Sequence, residues 1–243
     1  MRTDGELATD AIRATDATAA TAATTAAWSD PPVRWSLIVP LKPLALAKSR
    51  LSAAADALLR PRLALAFALD TVAAALASPA VADVSVVTDD PAAAAGLAAL
   101  GARIVPDSPG AGLNAALAHG ARTVRSLRPG APLAALNADL PALRPGELAR
   151  VLTRASAFPR AFLTDAAGIG TTLLTAAPGS ELQPTFGGPS RCRHLASGAV
   201  EIVLDGVDSV RQDVDTGADL AAAFALGVGP RTAERWAAGA RAV

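Results

Sequence analysis

Tyrosine is missing from this 243-residue chain, cysteine and methionine occur once each and histidine twice, and aromatic residues make up 3%. Each scarcity removes a class of function. The single cysteine, Cys192, cannot close an intrachain disulfide and fits a reducing, cytoplasmic compartment. Cys192 and His194 are too few for a zinc site. Scarce aromatics leave no stacking platform for single-stranded nucleic acid. Net charge is absent too. The 22 basic residues balance 22 acidic ones, without the basic surplus of general nucleic-acid or membrane-surface binders. Neither common phosphate loop occurs: there is no GxxxxGK followed by Ser or Thr, and no GxGxxG after a strand candidate.

What remains is 51% hydrophobic, enough for one sizeable core. Residues 1–33 stand apart. Their run ATDATAATAATTAA has no hydrophobic periodicity, and Asp4, Glu6, Asp10 and Asp16 exclude a secretory signal or a membrane span. They are expected to form a disordered tail, in part an over-extended start, with a docked helix as the alternative.

From Trp35 the pattern alternates. Strands are expected at WSLIV (35–39), DVSVVTDD (83–90), RIVPD (103–107), PLAALNADLP (132–141), AFLTD (161–165), TTLLTAA (171–177) and VEIVL (200–204). Helical segments lie between them: 50–77 as two helices broken near Pro61, then 91–100, 113–127 and 145–155. A short helix should run from FGGPS to Ser197, and 213–226 and 229–238 close the chain. AAGIG between the fifth and sixth strands suggests a hairpin or an offset pair. Residues 34–243 thus read as one α/β domain, a mixed, mainly parallel sheet flanked by helices.

In open α/β sheets ligands sit beyond the carboxyl ends of the strands, and polar residues concentrate there. VPLKPLALAKSRL (39–51) leaves the first strand with Lys42, Lys48 and Arg50 and no glycine. Lys48 and Arg50 suit phosphates by charge, or are two ordinary surface cations at a helix start. Asp139 ends NADLP, and Asp213 and Asp215 in DVD share one side of an extended segment. These three form a candidate carboxylate set for a hard divalent cation, with helix capping as the alternative for Asp215 and Thr216. Asp165 precedes a turn with exposed amides. FGGPSRCRH joins Gly187, Gly188 and Ser190 to Arg191 and Arg193 as a small-anion candidate. Gly112 permits close backbone approach, and Asn114 is a candidate for reading a base edge. His194 reads as structural more readily than catalytic.

In order, VPLKPLALAKSRL, PGAGLNAAL, NADLPAL, DAAGIGTTLL, FGGPSRCRH and RQDVDTGADL resemble the guanylyltransferase family of deazaflavin coenzyme F(420) biosynthesis. Its members join GTP to phosphoenolpyruvate or 2-phospho-L-lactate. The resemblance covers about residues 35–232 and implies a nucleotidyltransferase, Rossmann-like fold, related to the guanylyltransferases of molybdenum cofactor synthesis. Those carry a glycine-rich first loop, which this chain lacks. It further implies that Lys42, Lys48 and Arg50 face the triphosphate, with Gly112 and Asn114 also on the nucleotide. Asp139, Asp213 and Asp215 would hold magnesium, and Thr172, Gly187 and Ser190 the phosphoenolpyruvate. Lys48, Arg50 and Asp139 would be the catalytic set.

The implied partners are GTP, phosphoenolpyruvate and the next enzyme of the pathway, which would take an unstable product; no nucleic acid and no membrane is expected. The alanine-rich composition and the tail favour phosphoenolpyruvate over 2-phospho-L-lactate or 3-phosphoglycerate. A metal-dependent nucleotide-sugar glycosyltransferase, which also uses Asp-x-Asp, is the alternative from another class, and a non-catalytic nucleotide-binding protein is a third.

Overall fold

The structure, a computed structural model, describes residues 33–46, 51, 56, 58–108 and 110–240. The expected tail, apart from Val33, lies outside the described residues, as do Lys48 and Arg50. All described residues belong to one unit, Pro32–Val243.

The apolar runs become strands β1 (Trp35–Pro40), β2 (Val81–Val87), β3 (Arg103–Val105), β4 (Leu133–Leu136), β5 (Arg160–Thr164), β6 (Thr171–Ala176) and β7 (Val200–Glu201). Helices α1 (Leu59–Leu76), α2 (Pro91–Ala99), α3 (Leu113–Leu127) and α4 (Pro145–Ala155) connect the first five. Then come α5 (Ser190–Ala196), the short α6 (Asp208–Arg211), α7 (Gly217–Leu226) and α8 (Pro230–Ala240). The sheet order is β3-β2-β1-β4-β6-β5-β7. Pairs β1–β2, β1–β4, β2–β3 and β5–β7 are parallel. Only β6 opposes its neighbours, β4 and β5.

Strand alternation sorts the core into two layers. Leu37 and Val39 of β1 pack with α1, α2 and α4 on one face. Ile38 turns to the other, with Leu117 and Val124 of α3 and with Phe162, Leu174 and Phe186. Helix α3 lies close to the sheet because of Gly120: a methyl group there would sit 2.7 Å from Ile38 Cγ2 and 2.8 Å from Val87 Cγ2. A third cluster joins Leu63 and Phe67 of α1 to Val214, Leu220 and Ala223 around α7, with Trp236 of α8 against it.

The break expected near Pro61 fits the start of α1 at Leu59: Pro61 stands third, in the first turn, where no intrahelical N–H donor is required, and the expected helix before it falls largely outside the described residues. One strand differs from expectation. The seventh strand is shorter than VEIVL: only Val200 and Glu201 pair with β5. Beyond Ile202 the chain turns away, where Arg150 donates to the carbonyls of Asp205 and Gly206.

A buried carboxylate ties the C-terminal helix to the body. Asp70 of α1, 5% exposed, accepts the Arg231 and Thr232 amides in the first turn of α8, at 3.2 and 2.8 Å. It satisfies two of that helix's orphan donors and complements its dipole. Gly229 must be small, since an added methyl would overlap the same carboxylate. Asp70→Ala is therefore expected to destabilise the fold by about 1–2 kcal/mol, the usual cost of losing a helix cap. Urea denaturation checks this, and an unchanged midpoint would contradict the capping role.

Candidate active site

Between the carboxyl ends of β1 and β4, where the strand order reverses, lies a cavity of about 390 Å³. Its walls come from Pro40–Lys42 after β1, Asn137–Asp139 after β4 and the FGGPS loop before α5. Asp165, Gly170 and Thr171 of the β5–β6 hairpin complete it, with Asp213 and Asp215 before α7.

Several contacts fix these walls. The Asn137 amide donates to Thr172 O at 3.0 Å, and Val214 N to Asp139 O at 3.1 Å, so the GTT and DVD segments lie against NADLP. Thr71 Oγ1 of α1 receives Leu140 N at 3.0 Å, just past Asp139. Val214 is buried in the core, so its neighbours Asp213 and Asp215 face the other way, to the cavity they line. The capping alternative belongs to Thr216 and not to Asp215: Thr216 and Asp219 make a reciprocal capping box on α7. The loop after β1 is held by Asp90, which caps α2 and accepts Leu44 N at 2.9 Å. Burial acts to raise the Asp90 carboxyl, but the Leu44, Ala93 and Ala92 amides outweigh it and hold its pKa below the usual carboxylate value.

Lys42, Asp139, Gly187, Ser190, Asp213 and Asp215 all line the cavity. Lys42 is exposed and Ser190 buried. Gly187 and Gly188 have φ of 94° and 49°, which favours glycine in this loop. Thr172 is fully buried beside the cavity wall, its hydroxyl without a hydrogen bond among the described residues. Gly112 and Asn114 do not line the cavity; Leu113 between them does. Asn114 instead clasps the backbone of Phe186, accepting its N–H at 2.8 Å and donating to its carbonyl at 3.1 Å.

Two anion-site expectations change. The amides of Ile169 and Gly170 donate to Asp165, at 2.9 and 2.8 Å, and so are not exposed to a ligand. Gly170 has no space for a side chain against that carboxylate. Arg191 is held by Glu201 through Nε and Nη2, each at 3.0 Å; this hydrogen bonding and charge raise its pKa. Arg193 donates to Thr185 O at 3.1 Å. The cations thus shape the loop, while Gly187, Gly188 and Ser190 line the cavity. Thr171, Asn137 and Phe186 also line it; sequence reading did not single them out, and only the GTT match pointed near Thr171.

Among the described residues no group of three or more His, Cys, Asp or Glu side chains stands together as a metal site, so Asp139, Asp213 and Asp215 are not a preassembled three-carboxylate cage. Their chemistry still fits magnesium. That ion keeps waters and phosphate oxygens and needs only one or two carboxylates.

His194 is buried and bonded at both nitrogens: Thr171 Oγ1 lies 2.9 Å from Nδ1, and Thr185 N donates to Nε2 at 3.1 Å. The rings of Phe162 and Phe186 lie 5.6 and 5.2 Å from it. The structural reading of this residue agrees with these contacts.

A model of the MobA-like NTP transferase domain matches residues 62–199. The chain is 74% identical over 201 residues to the phosphoenolpyruvate guanylyltransferase of Streptomyces coelicolor, covering 83% of this chain and 95% of that protein. It is 59% identical over 204 residues to the protein of that name from Thermomonospora curvata, covering 84% and 89%. Among solved structures, a nucleotidyl transferase from Methanothermobacter thermautotroptrophicus superposes with a TM-score of 0.54 at 19% identity, covering 79% of this chain and 97% of that one. That likeness shows the fold. No helix among the described residues is long and apolar enough to cross a membrane.

Burial, then the positive charges of Arg160 and Arg193, push the His194 ring from the usual 6.5 down to about 4. The unfolded chain therefore binds a proton in this window that the folded chain does not, and stability falls as pH drops. The contribution is complete above pH 6.5 and is lost on acidification toward about 4. Urea titrations between pH 7 and about 5, above the main carboxylate range, should show this loss, and His194→Gln should flatten it. An equal slope in both proteins would contradict the assignment.

Proposed function

The chain belongs to the phosphoenolpyruvate guanylyltransferase family of MobA-like NTP transferases, and from that premise we propose that it transfers GMP from GTP to phosphoenolpyruvate, releasing pyrophosphate. One observation carries the reading at the level of the site: carboxylates from three separate segments (Asp139, Asp165, and Asp213 with Asp215) and the FGGPS loop open onto a single cavity that neither Cys192 nor His194 lines. That arrangement suits direct transfer between two substrates held side by side.

In the proposed reaction a phosphate oxygen of phosphoenolpyruvate attacks the α-phosphorus of GTP. The bond from that phosphorus to the bridging oxygen breaks, and pyrophosphate leaves with the electron pair. The attacking phosphate is largely ionised near neutral pH, so no general base is needed. The obstacle is to bring two polyanions together, and catalysis is positioning and charge neutralisation.

Lys42 would face the triphosphate, as would Lys48 and Arg50 further along the sequence. Asp139, Asp213 and Asp215 would hold magnesium, which when bound neutralises charge on the phosphates. Thr172, Gly187 and Ser190 would hold the acceptor; the buried hydroxyl of Thr172 supports this. Gly112 and Asn114 would flank the nucleotide, Asn114 acting through the Phe186 backbone it clasps. The product would be the guanylylated three-carbon precursor of coenzyme F(420), passed on to the next enzyme.

Pyrophosphate release from GTP, measured with phosphoenolpyruvate, 2-phospho-L-lactate and 3-phosphoglycerate in turn and coupled to the next enzyme where the product decays, should be fastest with phosphoenolpyruvate. Turnover only with another acceptor, or release of a nucleoside diphosphate, would overturn the reading. Asp139→Asn should abolish magnesium-dependent turnover in a protein that melts normally. Ser190→Ala should raise the acceptor KM more than the GTP KM, and an equal rise would move Ser190 out of the acceptor site.

A further inference from the structure

Thr185 N–H can only donate, so the Nε2 that receives it at 3.1 Å carries no proton. In a neutral ring the proton then sits on Nδ1, and Nδ1–H donates to Thr171 Oγ1 at 2.9 Å. The backbone thus dictates the tautomer. A protonated ring would place Nε2–H against Thr185 N–H, donor against donor. The nearby charges, Arg160 and Arg193, are both positive and oppose that state.

The consequence falls on Thr171. Its oxygen receives the His194 proton, so its own hydroxyl hydrogen has to be donated elsewhere. Thr171 has no other side-chain hydrogen bond among the described residues, is 4% exposed and lines the cavity. His194 also holds the loop that supplies the facing wall. It fixes Thr185 N, while Arg193 from the same helix fixes Thr185 O and Asn114 fixes Phe186.

We propose that Thr171 is a further acceptor-contacting residue, its hydroxyl proton turned into the cavity by His194, which is the positioning residue of the acceptor half of the site. The ligand it takes is an oxyanion, the carboxylate or phosphate of a small phosphorylated acid. This rests on the guanylyl-transfer reading given above.

Two measurements test it. Kinetics use whichever of the three acceptors the wild-type chain turns over. Thr171→Val, which keeps the shape and removes the hydroxyl, should raise the acceptor KM about tenfold or more, as expected for losing a hydrogen bond to a charged group, and leave the GTP KM within about twofold. Thr171→Ser should restore the acceptor KM. An unchanged acceptor KM in a folded Val variant, or equal rises for both substrates, overturns the proposal. The second readout needs no turnover. With only two histidines in the chain, ring 15N shifts of the substrate-free protein, assigned with His119→Gln, report the tautomer of His194. Protonation at Nδ1 alone near pH 7 is expected; an Nε2–H tautomer or a charged ring overturns the proposal. Wild-type protein that releases no pyrophosphate with any acceptor would instead sink the functional reading, and the acceptor role of Thr171 with it, whatever the shifts show of the ring.

Discussion

A single backbone hydrogen bond, Asn137 N–H to Thr172 O at 3.0 Å, marks the constraint on which the site depends. It continues the antiparallel pairing of β4 with β6, where Leu136 faces Leu173. Because β6 alone runs against the other strands, it begins at the rim where β1 and β4 end. A parallel strand there would begin at the opposite edge, some six residues away, and would put GTT far from NADLP. The hairpin turn secures the reversal: Asp165 binds the amides of Ile169 and Gly170 within it. The two halves of the cavity therefore meet through sheet topology, and side chains refine what topology has brought together.

Charge is distributed over that cavity in a way that suits two anionic substrates. Carboxylates line it from NADLP, the β5–β6 hairpin and DVD, and Lys42 from the glycine-free loop. A glycine-rich phosphate loop wraps its ligand with backbone amides; here Asp90 takes one such amide, that of Leu44. A loop anchored in this way, with prolines at 40 and 43, would meet phosphates with side chains under the proposed reading. The FGGPS loop follows the same logic. Its cations Arg191 and Arg193 bind Glu201 and Thr185, so they hold the loop in shape, and glycine, serine and threonine face the cavity.

Much of the fold was legible because its cues are local. Apolar runs bounded by Pro, Gly and Asp placed six strands nearly correctly; the rim position of Asp139 followed from a strand end, and the shared side of Asp213 and Asp215 from their spacing. What stayed hidden depends on distant partners. Asn114 looked like a base reader because its clasp on Phe186 spans 72 positions. The amides after Asp165 looked available because the carboxylate that takes them folds back within the turn. How near the carboxylates come to one another is not legible in sequence, because spacing says which side they face and not how close they come.

In the proposed reaction both substrates share one cavity and react directly, the protein supplying charge and position. The most direct measurement is the stereochemical course at the transferred phosphorus, followed with GTP made chiral by sulfur at the α-phosphate. A single in-line displacement inverts that centre, and inversion is the predicted result. Retention would require two displacements through a guanylylated enzyme and would contradict the account.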